Sequence, residues 1–201
     1  LEAAGLAVLA DKAEKSGRYQ DRDGDGIPWR TLPGTDPERG VYFTRGTSHN
    51  EFSGYTEDSG EYVKNMQRLS LKWETAKLKV PPAMVQEGAS AAGPGLICYG
   101  TSYAAVEEAA VLLEQDCGLK PAILRLRAFP FGPEVAGFLE QHRPVIVVEQ
   151  NRDGQMRQLL INECGIAPAG MLSLTLYDGM PIASREVFTS LRQLLYKHGL
   201  L

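Results

Sequence analysis

A length of 201 residues suits one large domain, or one domain and part of a second. The mix of 43% hydrophobic and 23% charged residues is that of a globular chain, and a net charge of −4 argues against a broad nucleic-acid surface. No apolar run reaches the ~20 residues needed to span a membrane, so neither nucleic acid nor a membrane is an expected partner. Cys98, Cys117 and Cys164 are far apart with no CxxC. They read as free thiols of a reducing, cytoplasmic compartment and offer no zinc or iron–sulfur framework. The opening LEAAGLAVLADKAEKSG lacks the basic start of a signal peptide. With Leu1 in place of an initiator Met, the chain reads as a piece of a longer protein.

Residues 3–15 predict a helix with Leu6, Leu9 and Ala13 on one side. The stretch from Asp23 to Asp58 follows, rich in Gly and Pro and without sustained periodicity. Long irregular loops in compact domains are usually functional or disordered, and disordered segments are poor in aromatics. Because this stretch holds Trp29, Tyr42, Phe43, Phe52 and Tyr55, it reads as an ordered functional loop. Its ligand-grade side chains are Arg30, Thr35, Thr44, Arg45, His49, Asn50 and Glu51. Asp21, Asp23, Asp25 and Gly26 match the first half of a calcium loop, but Leu32 stands where the bidentate Glu should be, which favours a plain turn.

Asp58 and Glu61 resemble a capping box. Tyr62, Met66, Leu69, Trp73 and Ala76 then recur at helical spacing, a stripe most simply read as core. Pro81–Pro82 ends that helix, and the small, flexible residues 84–95 read as a linker. The domains expected are therefore 1–83 and 96–201.

From Gly95 onward strands and helices alternate. Strands are expected at 96–100, 121–131, 144–151 and 172–179. Helices are expected at 101–118 (Ser102 as cap, Gly118 as stop), after Gly132, from Asp153 to Gly165, and from Ser184 as cap to Gly199. Nearly continuous apolar strands between helices predict an α/β fold, a mostly parallel sheet with helices on both faces. Ligands of such sheets sit beyond the carboxyl ends of the strands. Neither GxGxxG nor GxxxxGK[ST] is present, so nucleotide binding through either motif has no support.

Taken together, DGDGIPWRTLPG, YFTRGTSHNE, NMQRLSLKWETA, RAFPF, VVEQNRDGQMRQLL and YDGMPI resemble, in order, the C-terminal half of the alpha subunit of 2-oxoglutarate:ferredoxin oxidoreductases, within the wider 2-oxoacid:ferredoxin oxidoreductase family. The resemblance covers nearly the whole chain from about Arg18. It implies that residues 1–83 are the tail of a thiamine-diphosphate pyrimidine-binding domain, and that residues 96–201 are similar to the transketolase C-terminal domain. It implies oxidative decarboxylation of a 2-oxo acid with coenzyme A, yielding acyl-CoA and reduced ferredoxin. Thiamine diphosphate, Mg2+ and an iron–sulfur cluster would belong to the complete complex, with the pyrophosphate site and a cluster on a beta subunit, and the piece alone would be inactive.

By the same resemblance Arg30 matches an arginine of the substrate pocket, and a guanidinium can grip a carboxylate through two parallel N–H bonds. Thr44 or Thr35 could add a hydroxyl donor, and the match does not settle which. A bracing arginine and turn threonines are the structural alternatives. His49 near Glu51 reads either as a proton shuttle or as a structural histidine. Asn151, Asp153 and Gln155 would lie in a loop approaching the cofactor-containing cleft, with helix capping as the alternative role of Asn151 or Asp153. A non-catalytic α/β docking module of a related thiamine-diphosphate enzyme is the competing class.

Overall fold

The computed structural model describes residues 17–34, 36–38, 40, 43, 45–46 and 48–201. The helix expected at 3–15, Thr35 and Thr44 lie outside them. The chain divides into two compact units, 1–79 and 80–201.

Among the described residues, the first unit is an irregular loop held on a helix, α1, Ser59–Lys79. Asp58 caps it, its Oδ1 accepting from the Glu61 N–H at 2.9 Å. The helix then pins the loop through side chains. Arg68 Nη1 donates to the Gly26 carbonyl at 3.1 Å, Thr75 Oγ1 to the Asp25 carbonyl at 2.6 Å, and Asn65 Nδ2 to the His49 carbonyl. Gly26 lies so close to α1 that a Cβ would stand 2.3 Å from the Lys72 nitrogen, and its φ is +79°. No other residue fits there.

The acidic turn before it closes on itself. The Asp21 carboxylate accepts from the Gly24 and Gly26 N–H groups, both at 2.9 Å. Asp25 accepts from the Ile27 N–H, which holds its carboxyl below the usual range. Asp21, Asp23 and Asp25 bring ligand atoms within 4.8 Å of one another, but two of the three carboxylates are spent on backbone turns.

The helical stripe departs from expectation. α1 buries none of its residues, and Tyr62, Met66, Leu69 and Trp73 are all exposed. Periodicity selects a face but not what covers it. In this unit the face meets a polar loop tied down by hydrogen bonds, so the stripe is not core.

The second unit is a five-stranded sheet in the order β1-β3-β2-β4-β5. The strands are β1, Met84–Gln86; β2, Gly95–Tyr99; β3, Ala122–Leu126; β4, Val145–Glu149; and β5, Met171–Thr175. β1 pairs antiparallel with β3, and the other pairs are parallel. Residues 84–95, expected as a linker, thus begin with an edge strand.

The helices are α2, Ser102–Cys117; α3, Pro133–Gln141; α4, Gln155–Cys164; and α5, Ser184–Lys197. Side chains alternate across a strand, and two cores result. Leu96, Cys98, Ile146 and Val148 pack with Val106 and Leu113 of α2 and Val187 and Leu191 of α5. Ile97, Val145 and Val147 pack on the opposite face with Val135 and Phe138 of α3 and Leu160 of α4. The mostly parallel α/β sheet covered on both faces is therefore as expected.

Two predicted caps differ. Ser102 is the first helical residue of α2, and Thr101 precedes it as N-cap without a side-chain cap bond. Both hydroxyls turn to Gln150, whose Nε2 donates to Thr101 Oγ1 at 3.1 Å and Ser102 Oγ at 3.4 Å. Ser184 likewise stands inside α5. Ala183 occupies the N-cap, its carbonyl accepting from the Glu186 and Val187 N–H groups. Gly118 and Gly165 are left-handed C-caps, as their positions predicted.

The turn from β4 into α4 depends on Glu149, which is fully buried. Its Oε2 accepts from the Met156 N–H at 2.8 Å and Asn151 Nδ2 at 2.6 Å, and its Oε1 from the Arg157 N–H at 3.3 Å. A buried carboxylate is tolerated only with such partners. Here it also satisfies the first N–H groups of a helix, where negative charge is favoured.

Glu149→Gln keeps the shape but loses the charge and turns an amide toward backbone donors. It is expected to destabilise the protein by about 1.5–3 kcal/mol in denaturant titration, and an unchanged midpoint would refute the capping role. The thiols supply a second check. Burial pushes the Cys98 thiol up to about 12, whereas Cys117 is exposed. At pH 8 a thiol reagent should label Cys117 in the native state and Cys98 only on unfolding. Because the folded value is the higher, the Cys98 contribution to stability is complete below the unfolded thiol value of about 8.5 and is lost as pH rises toward 12.

Candidate functional site

In the first unit Arg30 is exposed and lines a cavity of about 200 Å³ with His49, Tyr62, Asn65, Arg68 and Lys72. The loop brings Arg30 and His49, and one face of α1 brings the rest, at a spacing of three or four residues.

The His49 ring stacks on Tyr19 with centroids 3.9 Å apart, and its Nδ1 lies 3.1 Å from the Asn50 carbonyl oxygen. A carbonyl only accepts, so Nδ1 carries the proton and Nε2 of the neutral ring is an acceptor. The partner of His49 is thus the Asn50 backbone. Glu51 lines a neighbouring cavity of about 310 Å³ together with Asp21, Glu61 and Lys64.

Arg68 stands between the two cavities. Its Nη1 is held by Gly26, while its Nε is buried without a hydrogen-bond partner. Desolvation by burial draws the Arg68 pKa below the ordinary arginine value.

In the second unit β2 leads to β3 on one side, while β4 leads to β5 on the other. The carboxyl ends of β2 and β4 therefore flank the topological switch point, where ligands of α/β sheets sit. Thr101, Ser102 and Gln150 are hydrogen-bonded there. Asn151 joins them, donating through Nδ2 to Glu149 and, at 3.5 Å, to the Tyr99 hydroxyl. Burial first, and the Glu149 charge second, raise the Tyr99 pKa.

Asp153 and Gln155 are exposed. Asp153 pairs with its neighbour Arg152 at 2.7 Å, and the Gln155 N–H donates to Asn151 Oδ1 at 3.2 Å. Of the three residues singled out in this loop, Asn151 reaches the switch point, and it also helps to cap α4. The principal cap is Glu149, which the sequence placed at the carboxyl end of the 144–151 strand without showing its capping role. Asn65, Arg68 and Lys72 were also missed. Their signal was the 3–4 residue spacing on α1, overshadowed by the apolar stripe beside them.

Iron–sulfur ligation does not fit the described residues. Cys98 is buried in the sheet, and the only grouping of potential metal ligands among the described residues is the acidic turn.

No family model matches the chain. A sequence relative is subunit alpha of 2-oxoacid:ferredoxin oxidoreductase 2 from Aeropyrum pernix. It is 30% identical over 154 residues, which are 75% of this chain and 24% of that subunit. Among solved structures, 2-oxoglutarate:ferredoxin oxidoreductase from Magnetococcus marinus, with 2-oxoglutarate, coenzyme A and succinyl-CoA bound, superposes with a TM-score of 0.75. That match covers 91% of this chain and 31% of the other at 20% identity, and so supports the fold. A split-gene transketolase superposes over 58% of this chain and 43% of its own, at 18% identity, with a TM-score of 0.44. The chain thus spans about a quarter of its sequence relative, a share that fits the C-terminal portion suggested by the motifs. By sequence the chain is a relative of the alpha subunits of the 2-oxoacid:ferredoxin oxidoreductases, and it spans part of one.

Proposed function

We propose that the chain works as the C-terminal portion of an alpha subunit in a thiamine-diphosphate-dependent complex that oxidatively decarboxylates a 2-oxo acid, 2-oxoglutarate in particular. Coenzyme A would take the acyl group and ferredoxin the electrons. The observation that carries the reading is the sequence relation over 154 residues. The cationic cavity containing Arg30 agrees with it. In this reading residues 1–83 finish a pyrimidine-binding domain, residues 96–201 form the transketolase-like body, and the segment between adds the edge strand β1.

Thiamine diphosphate would supply the electron sink for decarboxylation. The cofactor, its Mg2+ and the clusters are assigned to the rest of the complex, including a beta subunit, and the piece alone is assigned no activity. What this chain contributes is binding and orientation. Arg30 is exposed at the cavity, and its guanidinium can hold a carboxylate through two parallel bonds, fixing the direction of the 2-oxo group. Thr35 and Thr44 remain proposed hydroxyl donors. Asn151, Asp153 and Gln155 are proposed to face the cofactor cleft, with Asn151 placed by Glu149.

The test is steady-state kinetics on the complex reconstituted with the beta subunit and the remainder of the alpha subunit. The wild type should form succinyl-CoA from 2-oxoglutarate and coenzyme A while reducing ferredoxin. Arg30→Ala should lower kcat/KM about ten- to a hundredfold, from the loss of a charge-assisted contact. Arg30→Lys should recover only part, since the charge returns without the fork. Unchanged kcat/KM in Arg30→Ala would remove Arg30 from the site. A wild-type complex inert toward every 2-oxo acid would overturn the function itself.

A further inference from the structure

We propose that Arg68 and Lys72, one turn apart on α1, act with Arg30 as a selector for a second carboxylate, making the cavity a dicarboxylate pocket rather than a general anion site. The inference deepens the reading of Arg30 as a substrate ligand and rests on it.

Charge balance is the first argument. Among the described residues the cavity is lined by two arginines, a lysine and a histidine, with no Asp or Glu. Its neighbour differs, since Asp21, Glu51 and Glu61 there offset Lys64 and Arg68. Arg68 and Lys72 stand at i and i+4, where like charges repel. Neither Arg30 nor Lys72 makes an ion pair or hydrogen bond with a described residue. A dianion would answer Arg30 and Lys72 and would give Arg68, whose charge Asp21 already offsets in part, the acceptor its Nε lacks.

Arg68 provides the second argument. A guanidinium is always protonated, so its Nε–H is a donor at every accessible pH. Here that donor is buried and unpaired. Such groups are rare because leaving them unsatisfied is costly. A carboxylate oxygen entering the cavity would supply the acceptor, and Nη1, already committed to Gly26, fixes the plane in which Nε is offered.

Size and lining narrow the ligand. About 200 Å³ lies below the ~300–1,000 Å³ of sites for drug-sized ligands, which excludes a nucleotide-bearing coenzyme. Tyr62, Met66 and Leu69 form an apolar wall beside the cations. A ligand with charge at both ends and methylenes between matches that arrangement, and a monocarboxylate would leave cations unanswered.

The test compares substrates on the assembled complex. The ratio of kcat/KM for 2-oxoglutarate to that for 2-oxobutyrate should fall about ten- to a hundredfold in Lys72→Met and be largely restored in Lys72→Arg. An unchanged ratio overturns the proposal. Arg68 also anchors the loop, so Arg68→Lys is read together with its thermal midpoint. A lower ratio at an unshifted midpoint supports the selector role, while a shifted midpoint with an unchanged ratio assigns Arg68 to structure alone and overturns its part. Calorimetry with glutarate and butyrate separates this inference from the family reading. If the wild-type complex turns over no 2-oxo acid but binds glutarate at least about tenfold tighter than butyrate, and Lys72→Met abolishes the difference, the reaction is wrong and the pocket stands. Equal binding of the two overturns the pocket whatever the turnover.

Discussion

The second unit depends on strands that are buried on both faces. Val145 to Glu149 of β4 is buried at every position. Its backbone groups pair with β2 and β5, and its side chains divide between two cores. A strand with no solvent face cannot slip by one residue without exchanging the two cores. Ile146 and Val148 are thereby committed to α2 and α5, and Val145 and Val147 to α3 and α4. The packing of all four helices follows from that register.

The same strand carries the one buried carboxylate among the described residues. Glu149 ends β4 and accepts from the first N–H groups of α4. The charge that would destabilise a core is placed where a helix presents unpaired donors. The position of Asn151 follows, because its amide donates to the same carboxylate. A structural constraint of the sheet thus also orients the loop at the switch point.

The first unit is held together differently. α1 buries no side chain, and the long loop is fastened to it by Arg68, Thr75 and Asn65, each donating to a backbone carbonyl. Such bonds contribute about 0.5–1.5 kcal/mol each, rising to 1.5–3 where the donor is charged. Two of the fastening residues, Asn65 and Arg68, line the cavity, so they both fix the loop and shape the place where Arg30 and His49 meet the helix. Structural and binding roles coincide in Arg68, which spends one nitrogen on Gly26 and leaves another unpaired.

Local signals sufficed for much of this. Alternating apolar strands and helices, with Gly118 and Gly165 as stops, determined an α/β sheet with two covered faces, since burial and left-handed caps are encoded residue by residue. Asp21 and Asp25 determined a turn because their carboxylates need only neighbouring N–H groups. The ordered motifs pointed to the alpha-subunit family, and through that resemblance to Arg30 as a proposed substrate ligand. Tertiary structure decided what depends on contacts between distant residues. It showed that Tyr62, Met66 and Leu69 wall a cavity instead of a core, because a periodic stripe carries no record of what lies opposite. It brought Asn65, Arg68 and Lys72 to Arg30 across some forty residues, a meeting set by the close approach at Gly26. It turned Thr101 and Ser102 toward Gln150, because β4 lies beside β2 and that adjacency puts those groups within hydrogen-bonding reach. It gave the capping of α4 to Glu149, because the turn after β4 brings the first N–H groups of the helix back over the end of the strand.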